Sequence, residues 1–63
     1  MLRRDVVKAL EKCGYRKKRD DGNHTIYEHP VTKAVEPVAH GRNIPEMTAR
    51  AILKRARQGK QGD

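Results

Sequence analysis

The 63-residue sequence is poor in the side chains that usually build a large core. It contains no Phe, no Trp and two Tyr, and apolar residues make up 35% of it, against a usual share of about 45–50%. A chain of this length buries only about 60% of its unfolded surface. We therefore expect one small domain over residues 1–58, a flexible C-terminal tail over residues 59–63, and no large enclosed substrate pocket.

Further absences exclude several classes of protein. The single cysteine, Cys13, cannot form an internal disulfide or a multi-cysteine zinc site. No apolar run approaches the ~20 residues that span a bilayer, and no apolar segment follows Arg3 and Arg4 as in a secretory signal. We expect a protein of a reducing compartment, the cytoplasm, with no metal, no cofactor and no membrane partner.

Charge is the most informative part of the composition. Lys and Arg number 15 and Asp and Glu number 8, which gives a net charge of +7. Such an excess on a small body favours a polyanionic partner, namely nucleic acid, an anionic membrane or an acidic protein. Nucleic acid is favoured over a membrane, because no helix pairs a basic face with bulky aromatic anchors. The alternative is a solvated surface with no specific partner.

Apolar periodicity predicts a helix near each end of the chain. Residues 2–13 carry apolar side chains at the i, i+3, i+4 spacing of one buried stripe, and Gly14 follows where helices commonly end. Residues 44–57 repeat this spacing, with Pro45 in the first turn, where it is tolerated.

The segment between the helices predicts three strands over residues 15–19, 24–29 and 34–39. An Asp-Gly pair between the first two segments is a hairpin signal. Pro37 within the third segment indicates an edge strand. Alternation within the second strand places Thr25 and Tyr27 on one face of the sheet.

These elements predict an α+β fold of order α-β-β-β-α. Both helices would cover one face of a three-stranded antiparallel sheet and leave the other face open. The expected core consists of Leu2, Val6, Leu10, Tyr27, Val38, Ile52 and Leu53.

His24, directly after the hairpin turn, is the candidate catalytic residue. Imidazole exchanges a proton near neutral pH, and RNA cleavage by the 2′-hydroxyl needs a base, an acid and nearby cations but no metal. On spacing alone, however, a polar turn residue without a catalytic role is the more common case. His40 is expected to be a loop residue or a minor RNA contact, and His29 a structural residue.

Basic residues on three segments could contact RNA phosphates. The candidates are Lys17, Lys18 and Arg19 on the first strand, Arg42 in the loop before the second helix, and Arg50 and Lys54 on that helix. The alternative for each group is an ordinary solvated face.

Three segments carry a more specific pattern. They are Leu10-Glu11-Lys12-Cys13-Gly14-Tyr15, then Gly22-Asn23-His24-Thr25-Ile26-Tyr27, then Val38-Ala39-His40 with Ile44-Pro45 and residues 48–53. In this order and at these spacings the chain resembles the HicA family of bacterial and archaeal toxins, small ribonucleases also described as mRNA interferases. Asn23 stands where that family usually has Ser, and Thr25 where a second His is common.

The resemblance implies a fold similar to double-stranded-RNA-binding domains, with His24 as the catalytic histidine. It also implies an acidic HicB-type antitoxin that covers the active site and the basic surface. The resulting hypothesis is a metal-independent endoribonuclease that acts on mRNA as the toxin of a type II toxin–antitoxin system. The alternatives are a non-catalytic RNA-binding module of the same fold, and a small protein whose basic surface binds only an acidic protein.

Overall fold

A computed structural model describes the backbone of residues 1–61 and the side chains of residues 1–58. The elements are α1 (Arg3–Lys12), β1 (Arg16–Asp20), β2 (His24–Glu28), β3 (Val35–Ala39) and α2 (Glu46–Gln61). This order confirms the predicted α-β-β-β-α fold.

The bounds of α2 differ most from the expected ones. This helix ends at Gln61, whereas the spacing of apolar residues in the sequence predicted that it ends at residue 57. The helix therefore includes the first residues of the predicted tail, and residues 62 and 63 lie outside the described part of the chain. The flexibility of the tail stays a prediction.

The three strands form an antiparallel sheet in the order β1-β2-β3. In the β1–β2 turn, Asp21 Oδ1 accepts a hydrogen bond from His24 N at 2.9 Å, and Asp21 N donates to His24 O at 2.9 Å. A bulge interrupts the register between Lys17 and Arg19. Because strand side chains alternate between faces, this extra residue reverses the faces of the β1 residues that follow it.

Both helices pack on one face of the sheet. Thr25 and Tyr27 of β2 are buried there, as are Glu36 and Val38 of β3, while the residues between them are more exposed. The buried apolar cluster consists of Val6, Leu10, Tyr15, Tyr27, Val38, Ile44, Ala49, Ile52 and Ala56. It contains five of the seven expected core residues, since Leu2 and Leu53 are only partly buried.

A backbone bridge connects the start of α1 to the loop before α2. Leu2 and Asn43 form an isolated antiparallel β-bridge, and Arg3 N donates to Arg42 O at 2.8 Å. Ile44 N donates to Met1 O at 2.7 Å. This bridge fixes the loop that follows β3. Neither α1 nor the described part of α2 is long and apolar enough to cross a membrane.

Candidate functional site

His24 begins β2 on the face of the sheet that the helices leave uncovered. Its neighbours Thr25 and Tyr27 are buried under the helices, so alternation places the half-buried His24 on the opposite face with Ile26. Its backbone is paired with Ala39 of β3 and held by Asp21 in the turn. The imidazole therefore lies on a bare surface that a large ligand can approach.

The β1 bulge places Arg19 on the same face as His24. Arg19 pairs with Ile26 in the sheet, and directly paired residues share a face. Without the bulge, strict alternation would place Arg19 with Lys17 on the helix side. Within residues 1–58, Arg19 forms no ion pair. Its guanidinium is therefore available to an anion bound near the imidazole.

The other two β1 candidates are each bound to a carboxylate. Lys17 lies on the helix side, and its Nζ is 3.2 Å from Asp20 Oδ2. Lys18 lies at the bulge, and its Nζ is 3.5 Å from Glu28 Oε2 on the open face. All four side chains remain accessible to water, so each ion pair can exchange for a contact with phosphate at small cost.

Two of the remaining candidate cations lie in the helix layer and one in the loop after β3. Arg50 and Lys54 of α2 line a groove of 530 Å³ together with Met1 and the half-buried Leu53, in the helix layer that covers the other face of the sheet. Arg50 also donates to Glu46 Oε2 at 3.1 Å. Arg42 lines a separate cavity of 390 Å³ with Leu2 and Arg4. The structure thus brings Arg19 to the face of His24 but does not bring Arg50 and Lys54 there.

The structure also contains a polar cluster that the sequence analysis did not predict. Thr25 Oγ1 donates to Asp20 Oδ1 at 2.7 Å and accepts from Arg3 Nη2 at 2.8 Å. His40 Nε2 lies 3.2 Å from Asp20 Oδ1 and 3.1 Å from Thr25 Oγ1. The cluster therefore joins α1, β1, β2 and the loop after β3.

The hydrogen bonds of this cluster lower the pKa of Asp20 from 3.8 to about 2. The hydroxyl of Thr25 has the largest effect, followed by the Lys17 ammonium and the His40 ring. Asp20 is consequently a fixed negative charge at neutral pH. Nothing in the sequence spacing links these residues, because only strand register and the Leu2–Asn43 bridge bring them together.

His29 has the structural role that its position predicts. Its Nδ1 accepts hydrogen bonds from Val31 N at 3.1 Å and Thr32 N at 3.3 Å, which closes the β2–β3 turn. Its ring meets Tyr15 edge-on, with centroids 5.5 Å apart. Among the described residues there is no group of three or more His, Cys, Asp or Glu side chains suited to hold a metal ion.

Fold and surface together define a small, strongly basic α+β protein with a histidine on a bare sheet face. A comparison with protein-family models matches residues 3–58 to the family described as the HicA toxin of bacterial toxin–antitoxin systems. The match covers almost the whole chain, and the chain belongs to this family. Searches of curated proteins and of solved structures found no match.

Proposed function

We propose that this toxin is a metal-independent endoribonuclease that cuts mRNA, with His24 as a general acid or base. The observation that carries the proposal is the position of His24 on the uncovered sheet face, with Arg19 on the same face of the neighbouring strand. The net charge of +7 favours RNA as the ligand of this face, since Lys and Arg neutralise phosphates and release counterions. The site of action is proposed to be the cytoplasm.

The reaction needs few groups. A base removes the proton of the 2′-hydroxyl, and the 2′-oxygen forms a bond to the adjacent phosphorus. The bond from phosphorus to the 5′-oxygen breaks, and an acid protonates that oxygen. The products are a 2′,3′-cyclic phosphate and a 5′-hydroxyl. Arg19 would stabilise the charge on the phosphoryl oxygens, because a nearby cation stabilises negative charge that develops in the transition state.

The other cations would bind RNA further from the cut. Lys17 and Lys18 can exchange their carboxylate partners for phosphates of the same strand. Arg50 and Lys54 lie in the helix layer, so they would contact a longer or folded RNA that passes around the molecule. Arg42 lies in the loop after β3 and would contact RNA that runs past the end of the sheet. Such contacts position the substrate and do not select its sequence.

An acidic HicB-type antitoxin is the proposed protein partner. A partner of opposite charge associates rapidly with a strongly basic protein, and by covering the open sheet face it would exclude RNA. A partner that binds only the folded toxin also raises its free energy of unfolding, by about 2.7 kcal/mol when the free partner is at a hundredfold excess over Kd. The melting temperature of the toxin rises as a result.

RNA cleavage in EDTA tests the proposed activity. Purified protein and labelled single-stranded RNA should give fragments that end in a 2′,3′-cyclic phosphate. His24→Gln should reduce the rate by about 10²–10⁴, the usual contribution of one positioned acid–base group, while RNA affinity stays unchanged. A shift in RNA mobility with no fragments would instead indicate a non-catalytic RNA-binding module. Cleavage by His24→Gln at the parent rate would remove His24 from the mechanism.

A further inference from the structure

The hydrogen bonds around His40 determine which of its ring nitrogens carries a proton. The hydroxyl of Thr25 has one proton, and it is donated to the ionised Asp20 at 2.7 Å. Neither Asp20 nor Thr25 has a second proton to offer, so His40 Nε2 is the donor to both oxygens. In the neutral ring, Nδ1 is therefore the unprotonated nitrogen, and it has no hydrogen-bond partner among the described residues.

We propose that His40 is a second acid–base group of the RNA-cleaving site, that Nδ1 is its reacting atom, and that Asp20 is its positioning residue. This inference rests on the proposed ribonuclease activity. A carboxylate on one ring nitrogen fixes the tautomer and orientation of the ring, and it stabilises the imidazolium that forms when the other nitrogen takes a proton. The side chain of His40 is 44% exposed, which leaves it accessible to substrate.

The two histidines lie at the same end of the sheet. His24 is paired with Ala39, and the next residue, His40, donates its backbone N–H to Asn23 O at 3.3 Å. Strand geometry places the Cα atoms of His24 and His40 about 6 Å apart. His24 lies on the open face and the ring of His40 turns towards the helix side. The two rings thus lie on opposite faces at the same end of the sheet, and the proposal requires the scissile phosphate to bind at that end, between them.

The assignment supplies the base and the acid that one histidine cannot provide in the same step. His40 Nδ1 takes the proton of the 2′-hydroxyl as the 2′-oxygen bonds to phosphorus. Protonated His24 gives its proton to the 5′-oxygen as the bond from phosphorus to that oxygen breaks. His40 ends protonated and His24 neutral, and exchange with water resets both rings.

The charged groups around the His40 ring come from two elements. Asp20 and Lys17 belong to β1, and Arg3 from α1 donates both to Thr25 and, through Nε, to Ala39 O at 3.1 Å. These bonds occupy the polar groups on the Nε2 side of the ring. The carboxylate of Asp20 is the only negative charge among the side chains bonded in this cluster, so it is the group that compensates a protonated His40.

The test compares cleavage by the parent, His24→Gln, His40→Gln and Asp20→Asn at equal folded concentration, with His29→Gln as the matched histidine control. We expect His40→Gln to lower kcat by about 10²–10⁴ and to remove the acidic limb of the pH–rate profile. Asp20→Asn keeps an acceptor oxygen but loses the charge, and should lower kcat by up to about 10⁴-fold with KM unchanged. His29→Gln should cut at the parent rate.

Chemical rescue separates chemistry from structure. Added imidazole should restore part of the activity of His40→Gly, which a merely structural role would not allow. If His40→Gln keeps the kcat and the pH profile of the parent while His24→Gln is inactive, the proposed role of His40 is wrong and the proposed ribonuclease function stands. If His40→Gln does not fold, an unchanged kcat in Asp20→Asn equally contradicts the proposed role of His40. A parent protein that does not cut RNA defeats both proposals.

Discussion

The Arg55 guanidinium binds the buried carboxylate of Glu36. Its Nη2 is 2.9 Å from Oε1, and its Nε is 3.1 Å from Oε2 and 3.2 Å from Oε1. Glu36 is 5% exposed on the helix-covered face of β3, whereas the Arg55 side chain is 55% exposed on α2. The pair is a direct polar link between these two elements, and it holds a carboxylate under the helix layer.

Arg55→Gln should destabilise the fold, because it leaves the Glu36 carboxylate buried without its cation. We expect a loss of about 1–3 kcal/mol in the free energy of unfolding, measured by urea denaturation. Arg57→Gln is the matched control, an exposed change on the same helix that should cost within about 0.5 kcal/mol. Equal losses in the two variants would show that Glu36 does not depend on Arg55.

Gly14 is required by both its backbone conformation and its contact with His29. Its φ is +98°, and a Cβ there would lie 2.6 Å from His29 Nε2. Gly14→Ala should cost about 2–4 kcal/mol of unfolding free energy. Gly22→Ala is the control, since Gly22 has a φ of +95° but no atom within 4 Å of its added Cβ, and strain alone costs about 1–2 kcal/mol. If the two variants melt alike, the contact with His29 is unimportant.

The lowered pKa of Asp20 predicts a loss of stability in acid. The pKa of this carboxyl falls from 3.8 in the unfolded chain to about 2 in the folded protein. The carboxylate therefore stabilises the folded state fully only at pH values above 3.8. That contribution is lost as the pH falls through this window. Urea denaturation between pH 5 and pH 2 should therefore show a steeper loss for the parent than for Asp20→Asn. Parallel curves would contradict the Thr25–Asp20–His40 hydrogen bonds.

Tyr15 should ionise only above its ordinary pKa of 10.0. Burial raises the pKa of its hydroxyl, and the Glu36 carboxylate raises it further. A raised pKa means that the folded state holds the proton more firmly, so stability is present below pH 10 and is lost as the pH rises beyond it. Ultraviolet titration of Tyr27→Phe, which leaves Tyr15 as the one tyrosine, should show this late ionisation. Ionisation at or below pH 10 contradicts the burial.

Arg19 should contribute more to RNA affinity than Lys17. Arg19 lies on the face of His24 without an ion pair in the described structure, whereas Lys17 is bound to Asp20 on the other face. Arg19→Gln should reduce the slope of log K against log salt by about 0.7–0.9, as measured by fluorescence titration. Lys17→Gln should change the slope less. An unchanged slope for Arg19→Gln would remove Arg19 from the RNA site.

The features that depend on neighbouring residues in the sequence were predictable. The apolar spacing around Val6 and Leu10 marked α1, and the Asp-Gly turn marked the first hairpin. These signals are local, because helix periodicity and turn conformation depend on neighbouring residues. The position of Pro37 in an edge strand was predictable for the same reason.

The remaining features depend on contacts between distant segments. Burial of Glu36 is stabilised by Arg55, 19 residues away, and charged residues are seldom expected in a core. The β1 bulge decides which cation faces His24, and the charged sequence of that strand gives no alternation from which to locate it. The Asp20–Thr25–His40 cluster likewise follows from strand register, which residue spacing does not encode.

The bulged, basic β1 also bears on self-association of the sheet. β1 is an edge strand, and four consecutive cations, Arg16 to Arg19, precede Asp20 in it. Edge strands with unpaired backbone groups are templates for aggregation, and positive charge, bulges and proline are the devices that prevent it. The opposite edge, β3, contains Pro37, which cannot donate a ladder hydrogen bond. Charge removal on β1 that weakens RNA binding would therefore also make the toxin more prone to edge-to-edge polymerisation.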